Sequence, residues 1–125
     1  MEERESTWHD ERVRMVPEED GVYRFLLYGE LDHHSVKPIR ETVDQMLIDH
    51  RPLRVILDLN GVTFTDSAGL GLILGRYTRI SGYGGTVQLV GVSEEFMKIL
   101  VLAGADRFIA IEKRNGRAKR TNKTP

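Results

Sequence analysis

Hydrophobic and polar residues alternate at the start of this chain in a pattern that is typical of β-strands. Residues 12–16 alternate apolar and charged side chains, and residues 22–28 are rich in aromatic and aliphatic side chains. The segment between them, residues 17–21, ends in Asp-Gly, a dipeptide that is frequent in hairpin turns. The chain is therefore predicted to begin with an antiparallel hairpin.

Farther along, three segments carry apolar residues at spacings of three and four, which places those residues on one face of a helix. Short apolar runs separate and follow these helical segments, and they predict strands. The run 55–59 is almost continuously apolar, which favours a central strand that is covered on both faces. In chain order the predicted elements are helix 36–50, strand 55–59, helix 70–80, strand 86–92, helix 96–103 and strand 108–111.

The order of elements predicts the fold class. It is strand, strand, helix, strand, helix, strand, helix, strand, and helical crossovers of this kind connect parallel strands. The opening hairpin adds one antiparallel edge. A chain of 125 residues has the usual size of one domain. We therefore predict one α/β domain with a mixed, mostly parallel sheet of four to five strands.

Composition narrows the classes of function. The formal net charge of -1 argues against a nucleic-acid partner that is held by bulk electrostatics. The chain has no cysteine, which excludes disulfides, thiolate metal sites and thiol nucleophiles. Its apolar runs are far shorter than the roughly 20 residues that cross a bilayer, and residues 1–5 are too acidic for a signal peptide. We expect a cytoplasmic protein that does not contact the membrane.

Charge is concentrated at the two ends of the chain. Residues 1–20 contain eight acidic and three basic side chains, whereas residues 113–125 contain six basic side chains and no acidic one. We expect an acidic extension, 1–11, and a basic tail, 113–125, on either side of a domain spanning 12–112. The tail is interpreted as a disordered, solubilising terminus, with a weak docking arm for an acidic surface as the alternative.

The most informative segment is Thr-Phe-Thr-Asp-Ser-Ala-Gly-Leu-Gly at residues 63–71, between the central strand and the second helix. In open α/β sheets, the carboxyl ends of the strands form the edge that binds ligands and partners. Ser67 directly precedes the helical stripe, so its hydroxyl is predicted to cap the helix. An exposed hydroxyl at a helix N-terminus is also a good phosphorylation site, because free N–H groups and the helix dipole favour an anion there. A capping hydroxyl can also be a kinase substrate, so both interpretations stay open.

Glycines are unusually frequent in the second helix. Gly69, Gly71 and Gly75 each cost about 1 kcal/mol relative to alanine at an interior helical position. This cost indicates that another surface approaches the helix backbone closely. That surface is either the sheet of the same domain or a partner, and Gly71 and Gly75, four residues apart, share one helix face.

Catalysis and metal binding are the disfavoured alternatives. Residues 65–69 lack the Gly-x-Ser-x-Gly elbow of a serine nucleophile, and no base is placed beside Ser67 by the sequence. The chain has no Gly-x-x-x-x-Gly-Lys loop for a nucleotide. The run Asp32-His33-His34 matches no zinc-ligand spacing and is interpreted as a loop with a helix cap. We therefore expect no enzyme activity, no cofactor and no metal.

Two motifs together resemble one family. Residues 29–34 (Gly-Glu-Leu-Asp-His-His) and residues 66–77 (Asp-Ser-Ala-Gly-Leu-Gly-Leu-Ile-Leu-Gly-Arg-Tyr) are similar to the motifs of STAS-domain anti-sigma factor antagonists. The similarity covers about residues 12–112 and is greatest to the antagonists of the sporulation sigma-F system. It implies that the helices pack mainly on one face of the sheet.

The resemblance also implies a partner-switching function. The unphosphorylated protein would bind an anti-sigma factor that is a serine kinase, with ATP and magnesium belonging to that partner, and thereby free a sigma factor. Phosphorylation of Ser67 would end the binding, and a phosphatase would restore it. The alternative is a STAS-type module that binds a ligand or regulates a transporter or stress complex. The partner-binding residues implied are Gly29, Glu30, Leu31, Asp32, His33, His34, Asp66, Ser67, Ala68, Gly69, Leu70 and Gly71.

Overall fold

Five strands and three helices alternate along residues 10–114, the part of the chain that our computed structural model describes. Single 3-10 turns lie at Glu19–Gly21 and Ala105–Arg107. The predicted order of elements is confirmed. The strands are β1 (Val13–Pro17), β2 (Val22–Leu31), β3 (Arg54–Thr65), β4 (Thr86–Val92) and β5 (Ala110–Lys113), and the helices are α1 (Val36–His50), α2 (Ser67–Gly82) and α3 (Glu94–Leu102).

The strands form one sheet in the order β1-β2-β3-β4-β5. Strand β1 is antiparallel to β2, and every other neighbouring pair is parallel. Asp20 and Gly21 have φ angles of 63° and 76° and reverse the chain between β1 and β2, as the Asp-Gly dipeptide predicts. The mixed, mostly parallel sheet is thus confirmed at five strands.

All three helices pack on one face of the sheet. The three crossovers advance in the same direction along the strand order, so right-handed connections place every helix on the same side. Phe25, Leu57 and Leu89 lie side by side on that face in β2, β3 and β4, and each is at most 1% exposed. Ile39 of α1 and Ile73 of α2 are fully buried in the same core.

The opposite face of the sheet corrects one expectation. The run 55–59 was expected to be covered on both faces, yet Ile56 and Asp58 point away from the helices. Asp58 is nevertheless only 7% exposed, because its carboxylate accepts hydrogen bonds from Arg24 Nη1 at 2.7 Å and from the Asn60 amide at 2.9 Å. Arg24 also donates to Glu18 at 2.6 Å. The apolar pattern predicted a second layer of packed elements on this face. The face is covered by an ion-pair network instead.

Three strands differ from the prediction in their bounds by two residues or more. Strand β2 continues to Leu31, three residues beyond the predicted end at 28, and β3 continues to Thr65, six residues beyond the predicted end at 59. Strand β5 covers Ala110–Lys113, and Phe108 follows a 3-10 turn, with its ring 4.8 Å from that of Tyr77.

Both ends of the described chain form hydrogen bonds with the rest of the domain. Arg114 donates to the carbonyl groups of Leu59, Val62 and Gly91 at 2.6 to 3.0 Å. At the other end, the Asp10 amide donates to Thr42 Oγ1 at 3.0 Å. The rest of the predicted extension and tail, residues 1–9 and 115–125, lies outside the described residues.

Candidate functional site

The two sequence motifs meet at the carboxyl ends of β2 and β3. In the parallel ladder Glu30 lies beside Phe64, and Leu31 lies beside Thr65. The backbone N–H of Asp66 then donates to the Leu31 carbonyl at 3.2 Å. The structure therefore brings residues 29–34 and 66–71, about thirty-five positions apart in the chain, into one continuous surface.

The first motif is part strand and part turn. Gly29 to Leu31 end β2, and Asp32 opens the turn into α1. The Asp32 carboxylate accepts backbone hydrogen bonds from His34 and Ser35, both at 3.0 Å. Partial desolvation raises the pKa of Asp32, but the bonds from Ser35 and His34 outweigh it and lower that pKa overall. The turn thus presents a charged carboxylate.

The turn is closed by a second side chain. Ser35 Oγ donates to the Glu30 carbonyl at 2.5 Å and accepts from the Asp32 amide at 3.0 Å. This exchange fixes the histidine pair in the middle of the turn, where the rings of His33 and His34 are exposed and their centroids are 4.0 Å apart. The exposed rings, with Glu30, form one border of the site.

The cap of α2 is Asp66 and not Ser67, which corrects the sequence-based prediction. Asp66 has an extended backbone (φ -112°, ψ -164°), and its carboxylate accepts from the Ala68 N–H at 2.8 Å. Aspartate caps helices as well as serine does, and its negative charge also suits the positive end of the helix dipole. Ser67 is consequently the first helical residue, and it is exposed.

The glycines of α2 fall into two groups. A Cβ on Gly69 would collide with the methyl group of Thr65 and lie 3.4 Å from Leu31 Cβ, so this glycine allows α2 to pack tightly on the strand ends. Around Gly71 and Gly75, a Cβ would meet no atom within 4 Å. Packing inside the domain therefore accounts for Gly69, whereas Gly71 and Gly75 leave the outer face of the helix bare.

One residue of this surface was missed by the sequence analysis. Phe64 is 52% exposed and lies between the two motifs, beside Glu30. It also borders a cavity of about 300 Å³ between the end of β3 and the start of α3, with Phe96 and Arg114 among its other walls. The alternation of Thr63, Phe64 and Thr65 was the available signal, because it is typical of a strand that continues with one exposed face.

Three carboxylates lie in the two motifs that meet at Ser67. They belong to Glu30, Asp32 and Asp66. Within residues 10–114, no group of three or more histidine, aspartate or glutamate side chains is arranged to hold a metal ion. Among the same residues, no helix has the length and hydrophobicity needed to cross a bilayer.

Replacing Asp66 with alanine is expected to lower the free energy of unfolding by about 1 kcal/mol, because α2 loses its N-cap. Urea denaturation followed by circular dichroism measures this effect. The Asp66→Asn variant retains a capping oxygen and should lose much less. An unchanged unfolding midpoint for Asp66→Ala would show that the hydrogen bond to Ala68 does not hold the start of the helix.

Comparison with known proteins places this chain in a family. The model of the STAS domain matches residues 14–118. The anti-sigma F factor antagonist of Lysinibacillus sphaericus is 34% identical over 93 residues, covering 74% of this chain and 78% of that protein. The phosphorylated form of SpoIIAA, a Bacillus cell fate determinant, superposes with a TM-score of 0.64 at 24% identity, over 87% of this chain and 98% of the other. An anti-sigma factor antagonist from Mycobacterium paratuberculosis gives a TM-score of 0.67 at 22% identity, over 80% and 85% of the two chains. This chain belongs to the STAS domain family.

Proposed function

We propose that this protein is an anti-sigma factor antagonist that works by partner switching. In its unphosphorylated form it binds a serine-kinase anti-sigma factor and thereby frees a sigma factor, and phosphorylation of Ser67 ends that binding. The observation that carries this proposal is the exposed Ser67 hydroxyl at the start of α2, inside the surface where the two motifs meet. Relatives named anti-sigma F factor antagonists support the class of partner.

The docking surface of this proposal consists of residues 29–34 and 66–71 together with Phe64. Its centre is the first turn of α2, where the helix dipole favours an added phosphate, although the Ala68 N–H already donates to the Asp66 carboxylate. A phosphate on Ser67 therefore needs no refolding of the domain. SpoIIAA, which has the same fold, has been solved in both unphosphorylated and phosphorylated forms.

Local charge is the proposed cause of release. A phosphate adds a charge of about -1.5 to -2. On Ser67 that charge joins the carboxylates of Glu30, Asp32 and Asp66, so a partner that fits the unmodified surface meets both added bulk and repulsion. A loss of only about 3 kcal/mol in the free energy of binding weakens affinity more than a hundredfold.

The outer face of α2 at Gly71 suits the close approach of a kinase. An enzyme that transfers phosphate to Ser67 must bring its active site against the helix start, and no side chain shields the backbone at Gly71. The kinase supplies ATP and magnesium, and a phosphatase removes the phosphate to reactivate the antagonist. We place this exchange in the cytoplasm, in a sporulation or stress pathway, with no direct contact to nucleic acid or membrane and no catalysis by this chain.

A second candidate function is a STAS-type regulatory module controlled by a small ligand. The cavity of about 300 Å³ beside Phe64 favours it, because that volume is large enough for a small molecule and adjoins the docking surface. In that case ligand binding, and not phosphorylation, would control the partner.

Phosphate transfer tests the proposed function directly. The protein is incubated with the purified anti-sigma factor encoded in the same genome, ATP and magnesium, and its intact mass is measured. We expect the mass of one phosphate to be added, peptide mapping to place it on Ser67, and Ser67→Ala to gain none. Transfer to another residue, or no transfer, would contradict the proposal, and labelling of Ser67 by a serine-directed acylating probe would favour an enzyme.

A further inference from the structure

Two arginines of α2 share one carboxylate of α1. The Nε atoms of Arg76 and Arg79 lie 3.0 and 3.3 Å from the same oxygen, Asp44 Oδ1. Arg40 lies on α1 one turn before Asp44, close enough for its charge to act on Arg76. We call Arg40, Arg76 and Arg79 the arginine cluster; with Asp44 it has an excess of two positive charges.

The buried member of the arginine cluster is incompletely satisfied. Arg76 is only 7% exposed, and its Nε and Nη1 make no well-formed hydrogen bond to any of residues 10–114. Burial lowers the pKa of Arg76, and the repulsion from Arg79 and Arg40 adds to this effect while Asp44 opposes it. Asp44 alone therefore does not balance the positive charge of this groove, and a further carboxylate would be attracted to it.

The arginine cluster lies at the far end of a row that starts at the phosphoacceptor. Ser67, Gly71, Gly75 and Arg79 follow one another at intervals of four, so each is the neighbour of the next in a row that turns roughly 40° around α2 at every step. Twelve residues of helix span about 18 Å. The two glycines between the ends of this row leave open space where side chains would stand. We call these four residues the α2 track.

We propose that the α2 track receives a segment of the anti-sigma factor and that an acidic side chain of this segment binds the arginine cluster. The proposal rests on the proposed function and extends it by stating the partner's chemistry. Gly71 and Gly75 admit the backbone of the segment, and the exposed Arg79, with the half-buried Arg40, binds its carboxylate.

The charge of the whole surface supports this arrangement. Its Ser67 end is acidic, with Glu30, Asp32 and Asp66, whereas its Arg79 end is basic. Opposite charges at the two ends fix the direction in which a segment of complementary charge lies, because the reversed orientation brings like charges together. A partner segment with a basic part near Ser67 and an acidic part about 18 Å away fits the track.

Neutralising the accessible arginines tests the proposal. Calorimetric titration with the anti-sigma factor from the same genome compares the parent protein, the Arg40→Gln/Arg79→Gln variant and an Arg14→Gln control. Arg14 is exposed on the sheet face away from the helices. We expect the double variant to bind roughly tenfold more weakly than the parent, with a smaller dependence on sodium chloride, and Arg14→Gln to bind as the parent does.

The outcomes separate this inference from the proposed function. If the double variant binds as the parent does while Ser67→Glu still prevents binding, the partner-switching function stands and the acidic contact is refuted. An equal loss in Arg14→Gln would also refute it, since net charge alone would then matter. If the double variant loses binding of inorganic phosphate but still binds the partner as the parent does, the groove binds a free anion and not a carboxylate of the partner. A parent protein that binds no anti-sigma factor would overturn both proposals.

The fold of the variants is checked before binding is compared. Arg76 is left unchanged because it is buried, and thermal unfolding followed by circular dichroism shows whether the double variant retains its structure. If it does not, the single variant Arg79→Gln replaces it, since this side chain is 46% exposed. A folded Arg79→Gln with unchanged affinity and salt dependence would likewise refute the acidic contact.

Discussion

The Ser67→Glu variant is expected to bind the anti-sigma factor more than a hundredfold more weakly than the parent, which corresponds to about 3 kcal/mol. The new carboxylate joins those of Glu30, Asp32 and Asp66 at the centre of the docking surface. In contrast, Ser67→Ala removes only an exposed hydroxyl and should bind as tightly as the parent. It should also stay bound when ATP and magnesium are present, because it cannot be phosphorylated. Calorimetry with and without ATP measures both effects.

The fold should be unaffected in both Ser67 variants, so binding and stability are separable. Ser67 does not cap α2, and a negative charge in the first turn is favourable for the helix dipole. Thr86→Glu is a suitable control, since it adds the same charge at an exposed position at the start of β4. If Ser67→Glu and Ser67→Ala both bind as the parent does, local charge does not control docking.

A valine at Gly71 is expected to weaken docking roughly thirtyfold, or about 2 kcal/mol, with little change in stability. The side chain enters open space on the domain itself, so nothing within the fold is displaced. It fills the volume through which a partner would approach the helix backbone. Calorimetry measures the affinity, and urea denaturation measures the free energy of unfolding.

Two other glycines of α2 are matched controls for Gly71→Val. Gly82 is also surrounded by open space but lies about 16 Å along α2 from Gly71, one turn past Arg79, so Gly82→Val should weaken binding much less than Gly71→Val does. Gly69→Val should instead destabilise the fold, because its side chain would collide with Thr65. A folded Gly71→Val variant that binds as the parent does would show that the bare helix face is not part of the interface.

Much of the fold was predictable because local patterns determine it. The predicted strand 86–92 coincides with β4, and the stripe at 36–50 coincides with α1. The ion-pair cover on the outer face of β3 was not predictable from the run 55–59, because Asp58 pairs with Arg24, which lies 34 positions earlier. A local pattern carries no information about an ion pair between strands.

The structure brings the two predicted motifs together, but it differs from the prediction in how they are built. The resemblance placed residues 29–34 and 66–71 on one surface, and their contact depends on the pairing of β2 with β3. Ser67 and its neighbour Asp66 are both good caps, and the extended backbone at 66 decides between them.

The arginine cluster had a weaker signal in the sequence. Arg76 falls among the buried positions of α2, between Ile73 and Ile80, where an apolar residue would be expected. A charged residue at such a position indicates a partner on a neighbouring helix, but the sequence does not identify that partner as Asp44.

Tight packing beneath the first turn of α2 has a consequence for the speed of signalling. Because Gly69 has no side chain, that turn packs directly against Leu31 and Thr65, and the Asp66 N–H donates a hydrogen bond to the Leu31 carbonyl at the end of β2. We therefore expect Ser67 to keep one backbone arrangement when it is phosphorylated in the proposed switch. The lag between stimulus and response would then be set by the turnover of the proposed kinase and phosphatase, and not by a slow conformational step inside this protein.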